Sequence, residues 1–135
     1  MNFTNTIRVN IINSLIKTYN IEPLIDYKKF NITPGMFLLF NDICKIHEIN
    51  LNDYFLDNLV NILEIYKKKK DLNLINMTLF LTECHFSNLY EKNSANLEEI
   101  IDKKSYVISN INKFVTFNLN KTSLINSINM KLSND

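Results

Sequence analysis

The stretch Leu72 to Tyr90, LNLINMTLFLTECHFSNLY, constrains the fold most. From Ile75 to Phe86 it is too apolar for a helix lying on a surface. It is also too short and too interrupted for a membrane span, which needs about 18–20 apolar residues. Segments with apolar residues at helical spacing flank it on both sides. This pattern predicts one buried helix wrapped by others, and hence an all-α bundle.

The flanking segments fill in the bundle. Ile7, Ile11, Leu15 and Tyr19, with Ile12 and Ile16 beside them, predict a first helix over Asn5 to Asn20. Pro23 interrupts, and Leu24 to Phe30 reads as a short helical turn. Thr33-Pro34 is a strong start signal, a hydroxyl N-cap followed by proline at the first helical position. The helix it opens carries Phe37, Phe40, Ile43, Cys44 and His47 and fades near Asn50. Asn52 or Asp53 caps the next helix, whose apolar positions run from Phe55 to Tyr66 and which Lys67 to Lys70 close. Asp71 caps the central helix, and Asn93-Ser94 breaks it. Leu97, Ile100 and Ile101 mark a short helix with Asn96 and Glu99 as a capping pair. Tyr106 to Phe117 continues at helical period, and Leu124, Ile125 and Ile128 form a last, weaker piece. Period-2 alternation and glycine-rich turns are missing, so strands are not expected. The reading is one domain over 1–135 with roughly six to eight helices.

Charge narrows the function. Fifteen Lys and Arg against fourteen Asp and Glu leave a formal net charge of +1, with Arg8 the sole arginine. Nucleic acid is therefore disfavoured, since there is neither a strong positive field nor a set of bidentate donors. The abundance of Asn, Ile and Lys beside one Gly points to an AT-rich genome, such as that of a parasite, an AT-rich bacterium or a large DNA virus. Cys44 and Cys84 sit inside apolar helical stretches and fit a reducing compartment. No secretory signal opens the chain. It reads as soluble unless a C-terminal anchor is missing.

Catalytic and metal chemistry find little support. Cys44-x-x-His47 and Cys84-His85 offer zinc-type ligands. Adjacent helical residues point about 100° apart, however, so Cys84 and His85 do not converge on one ion. A Cys–His nucleophilic pair lacks a loop that could form an oxyanion hole. The carboxylates Glu98-Glu99, and Asp53 with Asp57, fall on solvent faces. No P-loop, dinucleotide fingerprint or His-Glu-x-x-His occurs. No enzyme activity, metal or cofactor is expected, and Lys67 to Lys70 reads as a solvated helix end. What remains is an excess of large apolar side chains between Phe37 and Leu81, which either cover the central helix or form a groove for an amphipathic partner helix.

The order of segments resembles the Bcl-2 fold, and within it the poxvirus apoptosis inhibitors such as those of myxoma and tanapox viruses. Phe55 to Phe117 carries most of the likeness, including NLVNILEIYKKKKDLNLINMTLFL and NLEEIIDKKSYVISNINKF. Glu64-Ile65-Tyr66 resembles the start of the family's motif between its fourth and fifth helices. Asp71-Leu72-Asn73-Leu74 stands where that motif has Asn-Trp-Gly-Arg, so the ligand-pairing arginine and the glycine are absent. The resemblance implies a viral inhibitor of host apoptosis that sequesters BH-3 helices of Bak, Bax and Bim. Its groove would be lined by Phe37, Phe40, Ile43, Tyr54, Ile62, Ile65, Leu74, Met77 and Leu81. It would act in the host cytoplasm, or at the mitochondrial outer membrane if an anchor follows, and a homodimer is compatible with it. A second reading keeps the fold and blocks NF-κB or interferon signalling through outer helix faces. A third is an unrelated helical adaptor.

Overall fold

A computed structural model of the chain describes residues 3–92, 96–117 and 120–133. Among them are six α-helices and no strand: α1 (Phe3–Tyr19), α2 (Pro34–Ile46), α3 (Phe55–Lys69), α4 (Leu72–Lys92), α5 (Leu97–Phe117) and α6 (Lys121–Ser133). The chain divides into two compact units, 1–52 and 53–135, where the sequence reading treats 1–135 as one domain.

The first unit pairs α1 with α2 through an irregular connection. Asn20 ends α1 in the left-handed region (φ 53°), and the Ile21 amide donates back to the Ile16 carbonyl at 3.0 Å. This is the Schellman stop, here made without glycine. Thr33 caps α2 as its sequence predicts, its hydroxyl accepting from the Met36 amide at 3.2 Å, with Pro34 next. The helix stops at Ile46, short of the expected Asn50. Glu48 adopts φ 54° there, and the Ile49 amide bonds the Cys44 carbonyl at 2.9 Å. Within Leu24 to Phe30 the chain makes a single turn, closed by Phe30 N donating to Asp26 O at 3.1 Å.

Side chains hold this connection. Arg8, 9% exposed, donates from Nη1 to the carbonyls of Tyr27 (2.8 Å) and Ile32 (2.9 Å). Its Nε and Nη2 donate to Asn5 Oδ1 at 3.1 and 2.6 Å. Buried Asn41 acts as a second backbone: its Oδ1 accepts from Leu24 N at 2.6 Å and its Nδ2 donates to Glu22 O at 3.0 Å. Tyr27 donates its hydroxyl to Asn13 Oδ1 and sets its ring edge-on to Phe37 at 5.2 Å. These bonds decide which face of α1 turns inward. Arg8 and Ile12 are buried, while Ile7, Ile11 and Tyr19 of the apolar stripe are 43%, 45% and 68% exposed. Loop carbonyls need donors, and Arg8 supplies them where isoleucine has none.

In the second unit α3 packs on α4, α4 on α5, α5 on α6, and α6 returns to α3. Leu59, Ile62, Leu63, Met77, Val107, Ile111 and Ile128 are fully buried, and Phe114 nearly so. The expected cap of α3 at Asn52 or Asp53 is not formed. Tyr54 occupies the N-cap position without a side-chain bond. Lys70 ends α3 at φ 55°. Asp71 caps α4 as expected, with Oδ1 accepting from Asn73 N at 2.9 Å. The pieces expected at Leu97 to Ile101 and Tyr106 to Phe117 form one helix, α5, in which Glu99 pairs with Lys103 at 3.3 Å. The break expected at Asn93-Ser94 lies outside the described residues. Asn120 caps α6, accepting from Thr122 N at 2.8 Å and Ser123 N at 3.2 Å.

α4 is one member of this ring of four, with α3 and α5 as its neighbours. It buries Leu74, Ile75, Met77, Thr78, Leu81, Thr82 and Phe86. It leaves Asn76, Glu83, Ser87 and Tyr90 exposed along one stripe. Thr78 and Thr82 satisfy their hydroxyls on the Ile75 and Thr78 carbonyls of their own helix, at 2.6 and 2.8 Å. Lys104–Glu83 (2.6 Å), Lys121–Glu64 (2.8 Å) and Lys131–Asp102 (2.8 Å) tie α5 to α4, α6 to α3 and α6 to α5. The hydrogen bond from Lys121 holds the Glu64 carboxyl below the usual range, and that to Asp102 raises Lys131. Exposed pairs of this kind add little stability.

Candidate interaction site

The residues expected to line a groove divide between the units. Phe37, Phe40 and Ile43 lie on α2. Tyr54, Ile62, Ile65, Leu74, Met77 and Leu81 lie in the second unit. Phe37, Ile62 and Met77 are inaccessible, and Phe40, Ile43, Leu74 and Leu81 are between 1% and 8% exposed. Ile65 is half-buried and Tyr54 is 63% exposed. A residue that lines an open groove keeps surface for its ligand. These side chains, Tyr54 and Ile65 apart, are core.

Accessible apolar surface is found instead between α4 and α5. Glu83, Phe86, Ser87 and Tyr90 follow the i, i+3, i+4, i+7 spacing of one helix face on α4. Leu97, Ile100, Ile101 and Lys104 repeat it on α5. The two stripes enclose a cleft of about 260 Å³. Phe86 (2% exposed) and Ile100 (9%) form its floor, and Tyr90, Leu97 and Ile101 (38–52%) form its walls. The Lys104–Glu83 pair closes the rim. Such a cleft suits one large apolar side chain from a partner, set inside a polar border. The sequence carries this signal as two ordinary helix stripes, and nothing in them says that they face each other.

A second cleft, of about 490 Å³, lies in the first unit, between the C-terminal end of α1 and the outer face of α2. Its α2 wall is Gly35, Leu38, Leu39, Asp42 and Lys45, and Tyr19 to Glu22 form the other side. Gly35 has a negative φ, and a Cβ added to it would meet nothing within 4 Å. It stands in the first turn of α2, directly after Pro34, where the helix-interior cost of glycine does not apply.

The residues weighed for chemistry sit poorly for it. Burial pushes the Cys44 thiol up to about 11, which keeps it protonated and unreactive at neutral pH. Cys84 is half-buried. His85 stacks flat on Phe55, with ring centres 4.2 Å apart and planes within 6°, and burial lowers its pKa. Among the described residues no group of three or more His, Cys, Asp and Glu is placed to hold a metal ion. No helix among them is long and apolar enough to cross a membrane. The lysine run closes α3, with Lys67 Nζ 5.0 Å from the Phe114 ring centre and Lys70 Nζ 5.3 Å from that of Tyr66. Compared with known protein families, curated proteins and solved structures, the chain matches none of them.

Proposed function

We propose that this protein is a non-catalytic helical interaction domain that engages a partner protein through its α4–α5 cleft. The observation that carries the reading is the exposure of Tyr90, Leu97 and Ile101 around a floor of Phe86 and Ile100. Large apolar residues grouped on a surface and rimmed by charge mark contact sites. Of the two roles suggested by the resemblance to poxvirus Bcl-2-like proteins, inhibition of host signalling through outer helix faces accords with this surface. Sequestration of BH-3 helices requires an open groove lined by Phe37, Ile62 and Met77, and those side chains are inaccessible.

Ile101→Asp with Tyr90→Ala tests the reading. Both positions are exposed, so thermal stability changes little, whereas capture of partners from infected-type host lysate, identified by mass spectrometry, is lost. Titration with Bak and Bim BH-3 peptides is expected to show no binding at tens of micromolar. Nanomolar binding of either peptide would restore the sequestration reading. Partner capture unchanged in the double variant would move the site elsewhere.

A further inference from the structure

Lys67 to Lys70 form an isolated basic run in the sequence, but the fold does not leave them isolated. Lys121, at the start of α6, reaches Glu64 on α3 at 2.8 Å, and Lys67 Nζ sits 5.0 Å from the Phe114 ring centre on α5. The last turns of α3 and α5 and the first turns of α4 and α6 thus share one end of the second unit. Exposed Lys113, one turn before the end of α5, stands there as well. Six of the ten lysines between residues 53 and 133 lie at this end, against Glu64 and Asp71 of the nine acidic residues in that span. The excess is four positive charges here and three negative charges on the remainder. Lys68, Lys69, Lys70 and Lys113 form no salt bridge among the described residues. Two helices end here and two begin, so their poles offset one another and the side chains set the field.

Apolar surface accompanies the charge. Leu72, the first residue of α4, is 60% exposed, and Phe117, the last of α5, is 67% exposed. Lys113 and Phe117, spaced i, i+4, share the outer face of α5 with the polar side chains of Ser109, Asn112 and Thr116. Lysines around exposed leucine and phenylalanine tips match an anionic membrane surface. The ammonium groups meet the headgroups while the tips enter the boundary with the acyl chains. Nucleic acid would use the charge but gain little from Leu72, and its phosphates suit the arginine forks that this unit lacks. We propose that this end of the second unit docks peripherally on anionic phospholipid bilayers. The α4–α5 cleft, at the opposite ends of its two helices, then stays accessible to a partner.

The chain has no tryptophan, so Phe117→Trp in the full chain gives a single fluorescent reporter at this end. Vesicles of phosphatidylcholine with about one third phosphatidylserine are expected to co-sediment the protein and shift this emission to the blue. Lipids brominated on the acyl chains quench it, and phosphatidylcholine alone does none of this. Tyr90→Trp, at the far end of α4, shows no shift. Lys69→Glu with Lys113→Glu joins two exposed positions on different helices and weakens vesicle binding by about tenfold or more. Its circular dichroism matches that of the parent chain. The proposal is overturned if Phe117→Trp emission ignores the anionic vesicles at low salt, or if Tyr90→Trp shifts in its place. Equal binding to both vesicle types, or a folded double variant that binds like the parent, also overturns it. Displacement by millimolar glycerophosphoserine would mean a headgroup pocket, and binding of duplex DNA without vesicle binding a nucleic-acid surface; either overturns the bilayer reading.

Discussion

Buried Arg8 and Asn41 of the first unit and buried Thr78 and Thr82 of the second form hydrogen bonds of opposite kinds. In the first, Arg8 and Asn41 supply hydrogen bonds to backbone that has no helical partner, at Tyr27, Ile32, Glu22 and Leu24. In the second, Thr78 and Thr82 bond carbonyls already within their own helix. The first kind of buried polar residue holds a fold together, because its removal strands carbonyls and amides away from water. The second satisfies only itself. A unit with two helices and a long connection has little else to fix its loop, whereas a ring of four helices distributes the task over its whole core.

This contrast can be broken at several points. The largest effect is expected from Met77→Glu, which places a carboxylate in an inaccessible site of the second unit and costs about 4 kcal/mol or more. Urea unfolding checks it, and a fully stable variant would mean that Met77 faces a groove. Arg8→Met follows at about 2–4 kcal/mol, for two buried carbonyls left without donors. Amide exchange should show the loss first between Tyr27 and Thr33. Asn41→Leu costs about 2 kcal/mol by the same reasoning. Thr78→Val sharpens the comparison from the other side: its hydroxyl and its acceptor are both relieved within one helix, so a change below about 1 kcal/mol is expected. A large loss there would erase the distinction between the units.

His85 gives the smallest effect, read by pH. Burial holds its folded pKa below the ordinary value of 6.5, so the unfolded chain binds the proton more readily. The contribution is complete above pH 6.5. It falls as pH drops below that value and levels off beneath the folded pKa. His85→Phe removes this slope while keeping a ring on Phe55, and urea titrations between pH 5 and 7.5 compare the two proteins.

Helix positions were largely legible in the sequence because period and capping chemistry are local. Thr33-Pro34 and Asp71 mark their helix starts by side-chain bonds that span three residues or fewer. The inward face of α1 was not legible. Two apolar columns compete there, Ile7–Ile11–Leu15–Tyr19 and Ile12–Ile16, and the deciding contact joins Arg8 to carbonyls 19 and 24 residues away. The expected groove residues were ambiguous for a related reason. Phe37, Ile62 and Met77 have the composition of a ligand pocket and of a core alike, and only packing separates the two. Leu72 to Tyr90 shows the same limit: half-buried Leu79 and Phe80 make α4 look enclosed in sequence while one stripe remains open.

The helix ends at Asn20, Glu48 and Lys70 hold a reserve. Each places a side-chain-bearing residue at φ of 53–55°, a region that asparagine tolerates but that costs residues such as Glu48 and Lys70 about 1–2 kcal/mol. A chain with a single glycine, spent on α2, turns these corners under tension. Glycine at Glu48 and Lys70 would therefore lift each unit separately, and the thermal gain from each substitution would report how independently 1–52 and 53–135 melt.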